Sequence, residues 1–195
     1  MDEFEVLKRL LVDNRSVRRF KQRERIGADV LKELVGLTRY CASGRNMQPL
    51  RYRIVSDAAE CAKVFPELAW AGYFKDWDGP CEGERPAAYL VQCLDTRYGA
   101  NCLCDDGLHL EAITLGACAR GIGGCIIKSF GVARLKEILA LPEGLEPRYV
   151  LALGYQDEDV VLEDTVGGAD ADIKYYRTSD GVHHVPKRPV DELLV

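Results

Sequence analysis

Residues 15–19 place three arginines and a serine within one short stretch of the chain. Arginine side chains carry fixed forks of N–H donors, and a serine hydroxyl adds a short hydrogen-bonding group. These residue types suit a phosphate or another compact anion, on which several donors must converge. A basic run is also common on solvated surfaces, so the stretch alone does not establish a site. The residues concerned are Arg15, Ser16, Arg18 and Arg19.

The basic charge of this chain is local. The whole sequence carries 26 basic and 31 acidic residues, a formal net charge of −5. A general nucleic-acid binder is usually basic overall, so we expect no nucleic-acid partner. Six basic residues nevertheless fall between positions 15 and 25, which favours a small-anion site on an acidic protein. An alternative stays open, in which this run docks an acidic protein or RNA.

Three further groups of residues could bind a ligand. A polar loop before Pro49 offers hydroxyl and amide groups that both donate and accept hydrogen bonds. A glycine pair allows close approach of a backbone to a ligand, although it is also typical of a tight turn. A basic pair near the C-terminus could add charge to an anion site. The groups are Ser43, Asn46 and Gln48, then Gly123 and Gly124, and last Lys187 and Arg188.

The elements that position these residues follow from the periodicity of apolar residues. Helical spacing predicts helices over about 2–13, 29–41, 57–66, 105–120 and 132–142. We expect Asp29 to cap the second helix, and the spacing of Asp57 and Glu60 predicts a capping box for the third. Apolar runs predict buried strands over 88–91 and 149–154. Residues 52–55 are also predicted to form a strand, and the glycine pair predicts a loop leading into a strand that ends at 127. Interleaved helices and strands indicate a mixed α and β class.

Several features limit the other functions that this chain could have. No apolar stretch approaches the ~18 residues that span a bilayer, and the acidic N-terminus does not resemble a signal peptide, so we expect a cytoplasmic location and no membrane partner. The eight cysteines include no Cys-x-x-Cys pair, so we interpret most of them as small core residues and predict no metal site. His183 and His184 are interpreted as packing residues of the tail. Residues 66–86 are rich in aromatics and glycine, which suits either a flexible lid or a packed surface loop.

Four pieces in this order and spacing resemble the FMN-dependent nitroreductase family: the arginine–serine segment, residues 43–49, the long helix leading into residues 122–125, and the strand over 151–155. The match runs from Asn14 to about Tyr155, and the basic tail forms a fifth element. The resemblance implies an α+β, nitroreductase-like fold with a central, mainly antiparallel sheet flanked by helices. It also implies an intertwined homodimer with one FMN at each of two subunit interfaces. We expect a single domain over residues 1–195, in which 156–195 form an extended C-terminal tail.

The same resemblance assigns roles to the motif residues. Arg15, Ser16 and Arg18 would hold the FMN phosphate, the ribityl chain and the N1/O2 edge of the ring. The other groups are expected to act as follows: Ser43, Asn46 and Gln48 approach the flavin from the partner subunit, the backbone of Gly123 and Gly124 lies near the N5/O4 edge, and Lys187 or Arg188 completes the phosphate clamp. Asn14 stands where the family commonly has an arginine, so Arg19 or the tail is expected to supply the missing charge.

The resemblance also implies an activity. NADH or NADPH would reduce FMN and leave, and a nitroaromatic, quinone or similar electrophile would then be reduced at the same place, which is a ping-pong mechanism. The chemistry would belong to FMN, so no catalytic side chain is predicted. The glycines around position 123 do not form the fingerprint of a Rossmann dehydrogenase. Two alternatives remain, namely a related flavin chemistry such as reductive dehalogenation or an oxygen-dependent reaction, and a non-enzymatic flavin- or anion-binding protein.

Overall fold

The computed structural model of the chain describes residues 2–166 and 168–195. The helices within them are α1 (Glu3–Asp13), α2 (Ala28–Gly36), α3 (Ala58–Val64), α4 (Asp105–Cys118) and α5 (Val132–Ile138). The strands are β1 (Leu50–Val55), β2 (Ala88–Asp95), β3 (Ile122–Ile127), β4 (Leu145–Tyr155), β5 (Val160–Asp164), β6 (Tyr176–Arg177) and β7 (His183–Lys187).

The central sheet has four strands in the order β1-β2-β4-β3, and every neighbouring pair is antiparallel. Strand β2 is buried along its whole length because apolar residues cover both faces of the sheet. Tyr89 and Val91 pack with residues of α3 and α5, whereas Leu90 packs with residues of α2 and α4. The predicted antiparallel sheet with flanking helices is therefore confirmed.

The first residues of α2 and α3 test the two predicted helix caps. The Asp57 carboxylate accepts a hydrogen bond of 2.9 Å from the Glu60 backbone N–H, so the Asp57 half of the predicted capping box is present, whereas the Glu60 carboxylate pairs with Arg53. The prediction that Asp29 caps α2 is wrong, because α2 begins at Ala28 and Gly27 occupies the capping position without a side-chain hydrogen bond. Asp29 lies in the first turn instead, where its charge favours the positive end of the helix dipole.

Two regions differ from the expected local structure. Gly123 and Gly124 lie inside strand β3, so the predicted loop at the glycine pair is wrong. The turn out of α4 uses Gly121, which has a φ of +72°. Residues 156–195 hold a second sheet in the order β5-β7-β6, with β5 parallel and β6 antiparallel to β7. The single-domain organisation stays a prediction.

The cysteines only partly follow the expectation of small core residues. Within the described residues all eight are free thiols. Cys61, Cys93, Cys102 and Cys125 are buried, whereas Cys81 and Cys104 are exposed. In the same part of the chain, no helix combines the length and the apolar character needed to cross a membrane.

Candidate functional site

The arginine–serine segment, residues 14–20, lies against strand β3. Ser16 pairs with Gly124 in a parallel bridge, and the Val17 N–H donates a 2.9 Å hydrogen bond to the Gly124 carbonyl. A Cβ atom at Gly123 would lie only 2.9 Å from a methyl carbon of Val17. The glycine pair thus permits the segment to approach the strand, and the structure brings these two predicted motifs together.

Arg15 lines a cavity of about 200 Å³ at the start of this segment, together with Asn14, Gly123 and Gln156. The Arg15 Nη2 donates to the Leu11 carbonyl at 2.5 Å, and its buried Nε has no hydrogen-bond partner among the described residues. Burial lowers the pKa of the Arg15 guanidinium from its usual value. An arginine with an unpaired N–H beside a cavity can bind an anion.

Asn14 does not offer its side-chain donor to this cavity. Its amide donates to the Thr114 hydroxyl at 2.9 Å and to the Glu111 carboxylate at 3.3 Å. Both partners belong to α4, so Asn14 joins the arginine–serine segment to the long helix. The position that lacks the expected positive charge therefore has a structural contact instead.

Arg18 lines a different cavity, of about 180 Å³, together with Trp70, Cys125, Ser129 and Tyr175. Arg18 and Trp70 are both buried. The Arg18 Nε and the Trp70 Nε1 have no hydrogen-bond partner among the residues that the structure describes. Buried N–H groups without acceptors are costly, so this cavity is suited to a ligand with hydrogen-bond acceptors.

The Glu158 carboxylate holds the backbone of the arginine–serine segment. Its side chain is 1% exposed, and it accepts hydrogen bonds from the backbone N–H groups of Arg18 and Arg19. The guanidinium of Arg177 completes the arrangement with a 2.8 Å contact to the same carboxylate. Glu158 therefore fixes Arg18 and ties the C-terminal tail to it.

His183 lies beside this ion pair and is fully buried. The Arg18 Nη1 lies 3.4 Å from the His183 Nε2, a distance at which a neutral imidazole accepts from the guanidinium. Burial, with the charges of Arg18 and Arg177, lowers the pKa of His183 to about 4. His183 is consequently neutral near pH 7. His184 has different neighbours, since it bonds to Glu163 and stacks on Tyr176.

Residues 66–86 pack against the tail through aromatic side chains. Phe74 lies 5.2 Å from Tyr175 and 5.4 Å from His183, measured between ring centroids. The guanidinium of Arg177 is 5.1 Å from the rings of both Phe74 and Trp77. In this structure the segment is a packed surface loop, and the flexible lid stays a prediction.

The polar loop before Pro49 lines a separate cavity of about 170 Å³, which contains Ser43, Asn46 and Gln48. The Ser43 hydroxyl donates to the buried Asp105 at 2.6 Å and accepts from the Gln48 N–H at 2.9 Å. The Gln48 amide also donates to the Asn46 side chain at 3.1 Å. These three residues are brought together with one another, but they share no cavity with Arg15 or Arg18.

Lys187 and Arg188 form a fourth group. The Lys187 carbonyl accepts a 2.8 Å hydrogen bond from the Thr165 N–H. The Arg188 guanidinium donates to the Gly168 carbonyl at 3.2 Å and pairs with Glu192 at 3.0 Å. In residues 2–166 and 168–195, neither side chain contacts the Arg15 cavity. A single chain thus assembles only part of the predicted set.

Sequence reasoning missed three members of the Arg18 surroundings: Trp70, Glu158 and Tyr175. The aromatic content of residues 66–86 and the tyrosines of the tail were visible signals, but nothing in the sequence paired them. Glu158 stands in an acidic run that resembles solvated surface, so no signal marked it as buried. No group of three His, Cys, Asp or Glu side chains within the described part of the chain is placed to hold a metal ion.

Solved structures of the nitroreductase family share this fold. A nitroreductase family protein from Streptococcus pneumoniae is 16% identical, with a TM-score of 0.68 over 97% of this chain and 98% of that one. An FMN-dependent nitroreductase from Clostridium difficile is 17% identical, with a TM-score of 0.63 over 87% and 97%. An NADPH:FMN oxidoreductase from Vibrio harveyi, solved with NAD⁺, is 20% identical, with a TM-score of 0.59 over 77% and 69%. No protein-family model and no curated protein matches the sequence. The chain has the nitroreductase fold.

Proposed function

We propose that this protein is an FMN-dependent oxidoreductase, which uses NADH or NADPH to reduce small electrophiles in a ping-pong cycle. The observation that carries the proposal is the cavity at Arg18, where two buried N–H groups lack acceptors within a nitroreductase fold. Fold alone does not determine function, so the argument depends on this site. The proposal includes a cytoplasmic location.

The residues present fit FMN. The isoalloxazine ring carries carbonyl oxygens and ring nitrogens along one edge, and these would accept from the Arg18 guanidinium, which lines the cavity. The phosphate would take the Arg15 cavity, where a guanidinium has an unpaired N–H, and the exposed Ser16 hydroxyl would meet the ribityl chain. Gly123 and Gly124 remain proposed flavin neighbours, and their contacts with Val17 and Ser16 position the segment that binds.

FMN, when bound, supplies the hydride acceptor and donor chemistry that no side chain provides. The fixed charge of Arg18 would stabilise negative charge on the N1/O2 edge of the ring and so raise its reduction potential. Glu158 holds the Arg18 backbone, and neutral His183 accepts from its guanidinium, so this charge is held in one orientation. Trp70 and Tyr175 place aromatic rings at the same cavity, which would favour a planar aromatic acceptor, such as a nitroaromatic or a quinone.

The remaining predicted residues would come from a second copy of the chain. Ser43, Asn46 and Gln48, with Lys187 and Arg188, lie outside the Arg15 and Arg18 cavities of their own subunit. Helix α1 has no buried residue and exposes an apolar face, with Phe4 70%, Leu7 48% and Leu11 42% accessible. An exposed apolar helix face of this kind is typical of an interface. We therefore include a homodimer with FMN at the interface in the proposal.

The decisive experiment records the visible spectrum of the purified protein and repeats it after addition of NADH or NADPH without oxygen. The proposal predicts a yellow protein that takes up FMN stoichiometrically and bleaches when the donor is added. A nitroaromatic or quinone should then restore the colour. A protein that fails to take up FMN would contradict the proposal, and one that binds FMN but never bleaches would support a non-enzymatic flavin binder.

A further inference from the structure

A further cavity lies between α3 and residues 82–86. Its volume is about 200 Å³, equal to that of the Arg15 cavity. None of the residues that line it also lines the cavities of Arg15, Arg18 or Ser43. The cavity is therefore separate from the groups assigned to FMN. The apolar part of its lining is Ala58, Cys61, Ala62, Phe65, Pro86 and Tyr89.

Two guanidinium groups and one carboxylate face this apolar lining. Arg85 pairs with Glu82 at 2.9 Å, and its guanidinium carbon lies 4.3 Å from the centroid of the Phe65 ring. Arg25, which is exposed, donates to the Ser56 carbonyl. Arg25 also contacts the Cys61 thiol, and it has no carboxylate partner in the ion pairs of the described residues. The cavity thus has one positive charge in excess, located at Arg25.

The rim of the cavity is already ordered by hydrogen bonds. The Gln22 side-chain oxygen accepts from the N–H of Gly83 at 2.7 Å and from that of Arg85 at 3.2 Å. The Gln22 amide donates to the Glu82 carboxylate at 2.9 Å. The buried Arg85 Nε finds no hydrogen-bond partner in the described chain. A ligand with an acceptor group would therefore meet a preformed site, which reduces the ordering cost of binding.

We propose that this cavity binds a small organic monoanion, with its carboxylate at Arg25 and an aromatic or aliphatic body against Phe65 and Tyr89. One carboxylate balances the one unpaired positive charge, and the apolar lining takes the body of the ligand. The volume is below the roughly 300–1,000 Å³ of pockets for drug-sized ligands, which restricts the ligand to about the size of a substituted benzene ring.

Benzoate is a suitable probe, and benzamide is the matched neutral control of the same shape. Both would be titrated into the full-length protein, saturated with FMN where it binds FMN, while backbone amide NMR shifts are recorded. We expect saturable shifts at Ala62, Phe65 and Tyr89 with benzoate. Benzamide should bind at least tenfold more weakly because it cannot pair with Arg25. Raised salt should weaken benzoate binding and leave benzamide unaffected.

Three variants make the test specific to this cavity. Arg25→Gln should weaken benzoate binding at least tenfold, whereas Arg23→Gln, at a nearby exposed arginine, should leave it unchanged. Ala62→Leu keeps Arg25 but fills the lining, and it should also weaken binding. Equal binding of benzoate and benzamide, an unaffected Arg25→Gln variant, or shifts confined to the Arg15 and Arg18 cavities would overturn the proposal. The readout does not require flavin, so a failure to bind FMN would leave this test valid.

Discussion

The guanidinium of Arg18 lies against the ring of Tyr175, with its central carbon 4.7 Å from the ring centroid. Arg18 belongs to the arginine–serine segment and Tyr175 to the C-terminal tail. Through this contact the tail surrounds Arg18, the residue that we propose to contact the flavin ring edge. Tyr175 also lies 4.8 Å from Tyr73, so the tail, residues 66–86 and Arg18 form one cluster.

Replacing Tyr175 should loosen this cluster. Tyr175→Leu removes the ring from Arg18, and cation–π contacts contribute about 0.5–2 kcal/mol, so we expect unfolding free energy to fall by about 1 kcal/mol. Tyr175→Phe retains the ring and is the matched control. Urea denaturation measures both variants. Equal stabilities for the two would mean that the ring over Arg18 contributes nothing measurable.

Removing the charge of Glu158 should have a larger effect. Its carboxylate is buried and paired with Arg177, and breaking a buried pair from one side leaves the other charge unpaired. We expect Glu158→Gln to lower the unfolding free energy by about 3 kcal/mol and to increase proteolysis within residues 156–195. Glu143→Gln makes the same substitution at an exposed carboxylate and should leave the unfolding free energy unchanged. A Glu158→Gln protein as stable as the wild type would show that the pair does not hold the tail.

The lowered pKa of His183 predicts that the protein loses stability in mild acid. Its pKa falls from 6.5 in the unfolded chain to about 4 in the folded protein. Between these values the unfolded chain binds more protons, so stability should decrease as pH falls from about 6.5 to about 4, by about 3 kcal/mol in total. Glu158 lies 4.0 Å from His183 but is already paired with Arg177.

The slope of stability against pH tests this assignment. His183→Leu should flatten the slope over that interval, whatever its own effect on absolute stability. Denaturation midpoints at several pH values suffice for the comparison. An unchanged slope in the variant would assign the acid sensitivity to other groups.

A methyl group at Gly123 should disturb the arginine–serine segment. The added Cβ would lie 2.9 Å from a Val17 methyl carbon, and overpacking of this kind costs about 1–3 kcal/mol. We expect Gly123→Ala to lower thermal stability and FMN retention together. Val17→Ala removes the obstructing methyl groups, so the double variant should be less destabilised than the sum of the two single changes. A strictly additive double variant would contradict this contact.

Arg18→Ala tests the proposed flavin contact directly. The variant loses the guanidinium that lines the 180 Å³ cavity, and we expect at least tenfold weaker binding of FMN. Arg23→Ala, at an exposed arginine of the same basic run, should bind FMN as the wild type does. Fluorescence titration of free FMN measures both. Unchanged affinity in Arg18→Ala would count against the assigned ring-edge site.

Local rules predicted the elements whose signals are local. The cap at Asp57, the amphipathic α1 and the buried run of β4 each depend on residues close together in sequence, and all three are present. The loop predicted at the glycine pair was wrong because the preference of glycine for turns is weak compared with pairing to a neighbouring strand. Here β3 pairs along its whole length with residues 150–155 of β4, and that pairing outweighs the local preference.

The placement of Arg15 and Arg18 in different cavities shows a second limit of prediction from sequence. Arg15 and Arg18 are three residues apart, and in an extended segment side chains alternate between opposite sides. This odd separation places them in different cavities, the Arg15 cavity beside residues 121–123 and the Arg18 cavity beside residues 125–129, so an FMN that contacts both would run along β3 past Ser16. The spacing was visible in the sequence, but only the pairing of Ser16 with Gly124 establishes that the segment is extended there.

The sequence by itself determined the order of the five α-helices and of the four strands of the central sheet, the antiparallel character of that sheet implied by its family resemblance, and the residue types available to bind an anion. Only the tertiary structure decided which of them meet: Arg18 with Tyr175, and Glu158 with Arg177. The physical reason is that helix caps and hydrophobic periods are local properties of the chain. The burial of a charge depends instead on partners distant in sequence, which become neighbours only when the chain has folded.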